Sequence, residues 1–264
     1  MEKPQQILEL EKVLRKKIKK LDKTGILSVG YVEENFRIIA LSLYDCNIRD
    51  IGFIKEYTDL KILNLTKNQI NDISLLQRLT FLQELFLCSN QITNISSLEH
   101  LHNLTLLDIF ENPINSISAL QNLNKLVVLN LGSLQLDDIS ALENLTNLKD
   151  LSLANNKLQN ISAIKHLINL EKLNLFKNKI DSISDLQLLS KLKTLSLKSN
   201  QIKVLPDWIT EFSEMNIFWT KKYMDFGIAV FDNPIEVPPV NVIINGSQEV
   251  KQWFKNNSNL SDQS

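Results

Sequence analysis

One leucine-rich pattern restarts at a fixed interval along most of the chain. Taking Leu60 as position 1, the same register returns every 22 residues, at Leu82, Leu104, Leu126, Leu148, Leu170 and Leu192, and one step back gives Ile38. Each unit reads L-x-x-L-x-L-x-x-N-x-I-x-x-I-S-x-L-x-x-L-x-x, and eight units tile residues 38–213. No unit of this length can bury its own apolar face, so neighbouring units must stack into a continuous core.

The spacing inside the unit predicts a short strand followed by a tight turn. Positions 4 and 6 alternate with polar residues, as in a strand with one buried face. The later apolar positions recur every three residues, which favours a 3₁₀ turn. Ser at position 15, as in Ser74, is expected to cap that turn. The pattern therefore predicts an α/β solenoid of short parallel strands and 3₁₀ or short helical turns.

Position 9 is Asn in most units, and its amide can both donate to and accept from the backbone where the chain leaves the strand. The predicted structural ladder consists of Asn68, Asn90, Asn112, Asn156, Asn178 and Asn200. Cys46 and Leu134 hold this position in the remaining units. Because Leu134 cannot make the same hydrogen bonds, we expect a widened turn or a shifted strand end there.

This pattern resembles the 22-residue class of the leucine-rich-repeat family, which includes bacterial internalins and a regulatory subunit of protein phosphatase 1. The resemblance implies a right-handed horseshoe with strands on its concave face, turns on its convex face and helical caps at both ends. It also implies a protein–protein interaction module that is not an enzyme. The fold alone does not name the partner, because many unrelated binders share it.

Both ends of the chain differ from the repeats and are predicted to cap them. Residues 1–37 are assigned to an N-terminal cap, with one apolar helical stripe over residues 5–21. That stripe consists of Ile7, Leu10, Leu14, Ile18 and Leu21. Because the opposite face is rich in Lys and Arg, a helix that binds a membrane surface or a partner is the alternative.

The C-terminal region is assigned to an irregular ninth repeat and a capping helix over residues 214–255, followed by a disordered tail over 256–264. The ninth repeat follows an insertion that contains Phe218, Trp219, Tyr223 and Phe226. The capping helix is predicted over residues 240–254.

Residues 227–254 also resemble the junction that follows the repeats in bacterial Roco-type proteins, where a Ras-like GTPase domain comes next. This sequence contains no G-x-x-x-x-G-K-S/T loop, so it cannot bind GTP in that way. The resemblance implies an alternative function, a regulatory or recognition module for a Roco-type GTPase or another enzyme supplied in cis or in trans.

Composition argues against several other classes. Lys and Arg number 29 against 30 Asp and Glu, which argues against a broad electrostatic contact with nucleic acid. No apolar run approaches the roughly 18 residues of a membrane span. Two Cys and three His form no recognisable ligand motif, so no metal or cofactor is expected. The charged N-terminal sequence has no apolar export signal, and we expect a cytoplasmic protein.

The partner site is expected on the concave face, where positions 3, 5 and 7 point away from the core. An apolar group rimmed by Glu84, Asp108 and Glu111 is typical of an interface core, although lateral packing between strands is the alternative. A basic cluster in units seven and eight either belongs to that interface or is a solvated end; it consists of Lys172, Lys177, Lys193 and Lys198. The predicted partner-binding residues are Ile62, Glu84, Phe86, Leu106, Asp108, Phe110, Val128, Asp150, Lys172, Phe176 and Lys198.

The expected surface suits a protein partner of unknown identity. Eight strands spaced about 4.8 Å apart give a face roughly 35 Å long, enough for a standard protein interface. Such an open face does not enclose a ligand, so no small-molecule substrate is expected.

Overall fold

The computed structural model describes residues 3–22, 28–212, 217–219 and 227–257. The chain divides into two compact units, unit 1 (residues 1–134) and unit 2 (residues 135–264). Each is a stack of the predicted repeats.

In unit 1, the strands of the described residues lie side by side in chain order. Neighbouring strands are parallel, except for the antiparallel hairpin of β2 and β3. The strands are β1 (Lys19–Lys20), β2 (Gly30–Glu34), β3 (Arg37–Ser42), β4 (Ile62–Asn64), β5 (Glu84–Phe86), β6 (Leu106–Asp108) and β7 (Val128–Asn130). Across the core lie the 3₁₀ turns Gly52–Glu56, Ser74–Arg78, Ser96–Leu98 and Ser118–Leu120.

In unit 2, the strand order is β8-β9-β10-β12-β11 and all pairs are parallel. The strands are β8 (Asp150–Ser152), β9 (Lys172–Asn174), β10 (Thr194–Ser196), β11 (Ile217–Phe218) and β12 (Gly227–Ala229). The 3₁₀ turns are Ser140–Leu142, Ser162–Ile164, Ser184–Leu186 and Asp207–Glu211. The ninth repeat thus pairs directly with the eighth, and the strand from the insertion lies outside both.

The repeated apolar positions form the core. Those of the second repeat are each at most 1% exposed: Leu60, Leu63, Leu65, Ile70, Ile73, Leu76 and Leu79. Burying one such side chain contributes about 1.5–3 kcal/mol. The predicted α/β solenoid of parallel strands and 3₁₀ turns is confirmed.

The position-9 Asn binds the backbone of its own repeat and of the repeat before it. Asn90 Nδ2 donates to the carbonyls of Leu87 and Leu65, both at 3.0 Å, and Asn90 Oδ1 accepts the N–H of Ile70 at 3.0 Å. The same three bonds recur at Asn68, Asn112, Asn178, Asn200 and, in the ninth repeat, Asn233. Asn156 donates to Leu153 and accepts from Leu136.

The turn at Leu134 departs from this pattern, where the sequence predicts an irregularity. Leu134 is fully buried, and the N–H of Ile114 bonds instead to the carbonyl of Asn112, at 2.9 Å. Gln135, at position 10, has a φ of 72°. Asn47 holds position 10 in the first repeat, which also has no Asn at position 9, and it has a φ of 56°. Without the amide, the turn therefore takes a second left-handed residue.

Position 13, rather than position 15, caps the 3₁₀ turns. The Ser74 N–H donates to Asp72 Oδ1 at 2.8 Å, because a short side chain two residues earlier reaches the first N–H of the turn. The same bond links Asp50 to Gly52, Asn94 to Ser96, Asp138 to Ser140 and Asn160 to Ser162. The prediction that Ser at position 15 caps the turn is wrong, since that Ser is the first residue of the turn.

The N-terminal helix is shorter than the predicted stripe over residues 5–21. Helix α1 covers Gln5–Leu14 and ends at Arg15, which has a φ of 50°. Ile18 is still fully buried, because Glu11 Oε1 accepts its N–H at 2.7 Å and also binds Lys3 Nζ at 2.7 Å. A carboxylate therefore holds the chain in place where the helix stops.

Tyr57 ties α1 to the first repeat. Its hydroxyl donates to the carbonyl of Gln6 at 3.0 Å, and burial raises the pKa of Tyr57 to about 12. The buried ring follows directly on the first 3₁₀ turn, so α1 covers the core on the turn side of the sheet.

The C-terminal cap consists of two helices rather than the single helix predicted over residues 240–254. Helix α2 covers Val240–Ile244 and α3 covers Ser247–Asn256. Between them Gly246 has a φ of 93°, a conformation that residues with a Cβ rarely adopt. Ile243, Val250 and Phe254 are nevertheless buried, as their spacing predicts. Tyr223, Phe226 and residues 258–264 of the predicted tail over 256–264 lie outside the described residues, whereas Asn256 still belongs to α3.

Replacing Asn178 by Leu should destabilise the protein. The change leaves the buried Leu158 N–H without its acceptor and removes one of the two Asn donors of each of the Leu153 and Leu175 carbonyls. Each buried group left unpaired costs about 1–3 kcal/mol. The melting temperature of Asn178→Leu should therefore fall by several degrees, whereas the exposed neighbour Lys179→Leu should melt like the wild type. Equal melting of the two variants would show that the ladder contributes little.

Glu11 should make stability depend on pH in the acid range. The hydrogen bond from Lys3 is the main cause that lowers the pKa of Glu11, followed by the bond from the Ile18 N–H. Stabilisation by the carboxylate is thus complete above the unfolded pKa of about 4.3, and it is lost as the pH falls through the lowered folded value. Thermal melts should place Glu11→Gln below the wild type at pH 7, with the gap closing on acidification. Glu9→Gln, on the same helix but exposed, is the control, and a constant gap for Glu11→Gln would contradict the assignment.

Candidate partner-binding surface

The face of each sheet that points away from the core is called the outer sheet face. In unit 1 the predicted position-3 residues form one row, in which Ile62 pairs with Glu84, Glu84 with Leu106, and Leu106 with Val128. Glu84 therefore separates two apolar residues. The strand register thus places this acidic residue inside the row rather than at its edge.

The position-5 row places Phe86 between Asn64 and Asp108. Phe110 follows β6 at position 7, so it lies diagonally from Phe86 on the next repeat. Diagonal neighbours of adjacent strands are about 7–8 Å apart, near enough for both rings to contact one partner. The apolar patch is defined as Ile62, Phe86, Leu106, Phe110 and Val128, and all five side chains are half-buried.

The outer sheet face is closed at its N-terminal end. Ser42 and Asn64 hold position 5 in the first two repeats and are at most 1% exposed, although their position predicts exposure. The apolar patch therefore starts beside a covered region, and Phe86 is the first side chain of the position-5 row that is open to solvent.

Asp108 has a structural role in its turn, although burial makes its ionised carboxylate unfavourable. Asp108 Oδ1 accepts the N–H of Phe110 at 3.1 Å, which closes the turn after β6. Asn64 makes the same bond to Thr66, and Asn130 makes it to Gly132. Burial raises the pKa of Asp108, against the hydrogen bonds from the Phe110 N–H and Asn130. An Asn would serve the turn without that desolvation cost.

In unit 2 the predicted charged residues surround a shallow cavity of about 260 Å³ on the outer sheet face. Asp150 pairs with Lys172 in the position-3 row, and Thr194 and Gly227 continue that row. Burial raises the pKa of Asp150, and the charge of Lys172 opposes the rise. Burial also lowers the pKa of Lys198, which lines the same cavity.

The basic cluster of unit 2 is partly neutralised. Lys193 Nζ is 2.5 Å from a Glu171 carboxylate oxygen, and Lys172 lies beside Asp150. Phe176, at position 7 after β9, is 39% exposed and is the most open of the predicted aromatic residues. Among its described residues, the outer sheet face of unit 2 therefore presents a mixed polar surface with the exposed ring of Phe176 rather than a basic patch.

The described residues hold no group of three or more His, Cys, Asp or Glu that could bind a metal ion. Cys88 lies at position 7 beside the apolar patch, and burial raises the pKa of its thiol, which disfavours the nucleophilic thiolate. In the part of the chain that the structure describes, no helix is both long and apolar enough to span a membrane.

Comparison with known proteins supports the interpretation of the repeats. The family model of leucine-rich repeats in two copies matches residues 80–122 and 146–188. Internalin C2 of Listeria monocytogenes has a solved structure that is 32% identical, with a TM-score of 0.67 over 73% of this chain and 80% of that one. The chain belongs to the leucine-rich-repeat family. A search of curated protein sequences gave no match.

Two further structures extend the comparison. Another internalin of Listeria monocytogenes, InlF, is 33% identical with a TM-score of 0.69, over 76% of this chain and 57% of that one. A leucine-rich-repeat protein of Leptospira interrogans is 24% identical with a TM-score of 0.63, over 73% of this chain and 54% of that one, which shows the fold alone. The repeats are thus internalin-like, a class typical of protein–protein interaction modules. These comparisons do not support the resemblance of residues 227–254 to the Roco junction.

Replacing Asp108 by Asn should stabilise the protein at neutral pH. Since burial raises the folded pKa of Asp108, the ionised carboxylate destabilises the fold above that pKa, and the penalty disappears as the pH falls below the unfolded value of about 3.9. Asp108→Asn keeps an acceptor for the Phe110 N–H. Melting temperatures should exceed those of the wild type at pH 7 and match them near pH 3.

The reciprocal variant provides the control. Asn64→Asp introduces a carboxylate at the same position of an earlier repeat, where the side chain is almost completely buried, and it should lower the melting temperature at pH 7. A fall in stability for Asp108→Asn at pH 7 would contradict the desolvation argument.

Proposed function

We propose that the protein is a non-enzymatic binding module, and that the apolar patch of unit 1 with Glu84 and Asp108 contacts a protein partner. The observation that supports this proposal is the carboxylate of Asp108. It holds a position where Asn performs the same structural task, so its charge serves something other than the fold. A carboxylate kept beside two half-buried Phe residues suits a partner that presents an apolar side chain next to Lys or Arg.

The geometry of the patch agrees with this function. Phe86 and Phe110 come from neighbouring repeats: Phe86 ends β5 and Phe110 directly follows β6, and both strands are anchored in the leucine core. Aromatic side chains on such a rigid support lose little conformational entropy on binding and often dominate an interface. The surface is open rather than enclosed, which favours a protein over a small molecule.

We also propose a reducing, cytoplasmic environment. Cys46 and Cys88 are both free and half-buried. Unpaired thiols of this kind persist where glutathione and thioredoxin keep cysteines reduced. Fractionation of the source cells with an antibody against the protein tests this, and recovery outside the cytoplasm would contradict it.

Removing both rings should abolish partner capture. Phe86→Ala with Phe110→Ala deletes two side chains that are only half-buried, so the fold should persist while the interface loses its main apolar contacts. Immobilised wild type and variant are exposed to lysate of the source organism, and retained proteins are compared by quantitative mass spectrometry. At least one protein should be retained about tenfold more on the wild type.

Two controls define the outcome. His100→Ala with His102→Ala removes two exposed rings from the turn side of unit 1 and should leave capture unchanged. Asp108→Asn should weaken capture although it stabilises the fold, which separates binding from stability. Equal retention by the wild type and by Phe86→Ala with Phe110→Ala, at matched melting temperatures, would place the site elsewhere.

A further inference from the structure

Unit 2 contains a second and larger groove, away from the outer sheet face. A cavity of about 830 Å³ lies between the seventh and eighth repeats, on the side of the 3₁₀ turns. This edge groove is defined by Asp181 and Ile183 on one wall and by Lys203, Val204, Asp207 and Trp208 on the other. Ile183, Val204, Pro206 and Trp208 give it an apolar floor.

The groove arises because the eighth repeat changes type. Pro206 holds the position where a regular repeat starts its turn, and the turn begins one residue later, at Asp207. The segment before it pairs with the ninth repeat: Leu205 N–H donates to Val237 at 2.7 Å, and Val237 N–H donates to Lys203 at 3.2 Å. The ninth repeat therefore holds this segment of the eighth repeat in place from its C-terminal side. The groove lies on the opposite side of the segment, towards the seventh repeat.

Val204 presents an unused strand edge to this groove. It forms a parallel bridge with Val237 in which the flanking residues supply the hydrogen bonds, so the N–H and carbonyl of Val204 itself point to the opposite side. That side faces the seventh repeat, since Gln201 N–H bonds to Ile180 just before the groove opens. Among the described residues, neither backbone group of Val204 has a hydrogen-bond partner. Its side chain is 38% exposed.

The charges along the groove are predominantly acidic. Asp181 and Asp207 are exposed, one on each wall. Among the described lining residues the basic one is Lys203. Its Nζ lies 3.6 Å from Glu236 Oε1, and this carboxylate offsets its positive charge. A basic ligand is favoured on these grounds.

We propose that the edge groove binds an extended, basic peptide segment of a partner protein, which adds as a strand beside Val204. The backbone of the peptide would bond to the free N–H and carbonyl of Val204, as in other cases of strand addition. Because side chains alternate along a strand, apolar residues would contact Ile183 and Trp208, and Lys or Arg would lie near Asp181 and Asp207. This site is independent of the apolar patch of unit 1.

The test uses a phage-displayed library of random nine-residue peptides, selected on the full chain and counter-selected on Val204→Pro. Proline removes the Val204 N–H, which no described residue uses. Enriched peptides should alternate Val, Ile or Leu with Lys or Arg. The most enriched peptide is then synthesised with a fluorescein label, and its Kd is measured by fluorescence polarisation.

Three comparisons with that peptide decide the outcome. N-methylation of alternate backbone nitrogens should raise its Kd on the wild type at least about tenfold, because it removes the strand hydrogen bonds and keeps the side chains. Asp181→Lys with Asp207→Lys should raise the Kd to a similar extent, whereas Glu211→Lys, an exposed acid of the same turn outside the lining, should not. Phe86→Ala with Phe110→Ala should bind the peptide normally.

Thermal melts of every variant exclude misfolding as the cause of lost binding. If Val204→Pro does not fold, the N-methylated peptide tests the strand hydrogen bonds on the wild type alone. The proposal is wrong if no peptide is enriched on the wild type, if the N-methylated peptide binds equally well, or if the double charge variant binds unchanged.

Discussion

In each repeat the chain leaves the strand through a sharp, buried bend. The backbone N–H and carbonyl groups of this bend have no partner in the sheet. The amide of the position-9 Asn satisfies them. In Asn90 one nitrogen binds the carbonyls of Leu65 and Leu87 while the oxygen binds the N–H of Ile70. Buried polar groups are costly unless paired, so the leucines can stack as closely as they do because these bonds are present. Strand register and outer-face geometry follow from that stacking.

Many unrelated binding functions share this fold, so the proposals above start from residues that depart from what the fold requires. Asp108 and Val204 are two such residues. Asp108 keeps a desolvated carboxylate where Asn64 and Asn130 manage with an amide. Val204 keeps an open strand edge where the eighth repeat changes its turn. The two features lie in different units and favour different partners, a folded surface and an extended segment.

The fold could be predicted from the sequence because the same buried apolar positions recur every 22 residues in successive repeats. The details that failed were local. Asp72 rather than Ser74 caps its 3₁₀ turn. Both residues recur at the same 22-residue interval, and only the backbone conformation shows which side chain accepts the N–H. The N-terminal helix stops at Leu14, and Glu11 binds the Ile18 N–H just beyond its end, a contact that helical periodicity does not show. On the outer sheet face, the repeat positions predicted the row of Ile62, Glu84 and Leu106, and the strand register has the same order.

The direction of the Asn bonds has a consequence for how such a protein can grow. Each amide completes the turn of the preceding repeat, so the structural unit is displaced from the unit read in the sequence. Ile114 shows the result: its N–H turns back to Asn112 because Leu134, one repeat later, has no amide to accept it. A repeat inserted directly before Leu134 would take the altered turn of Ile114, whereas a repeat inserted before Asn90 would take the regular turn. The residue at position 9 of the following repeat thus sets the turn that an inserted repeat would adopt.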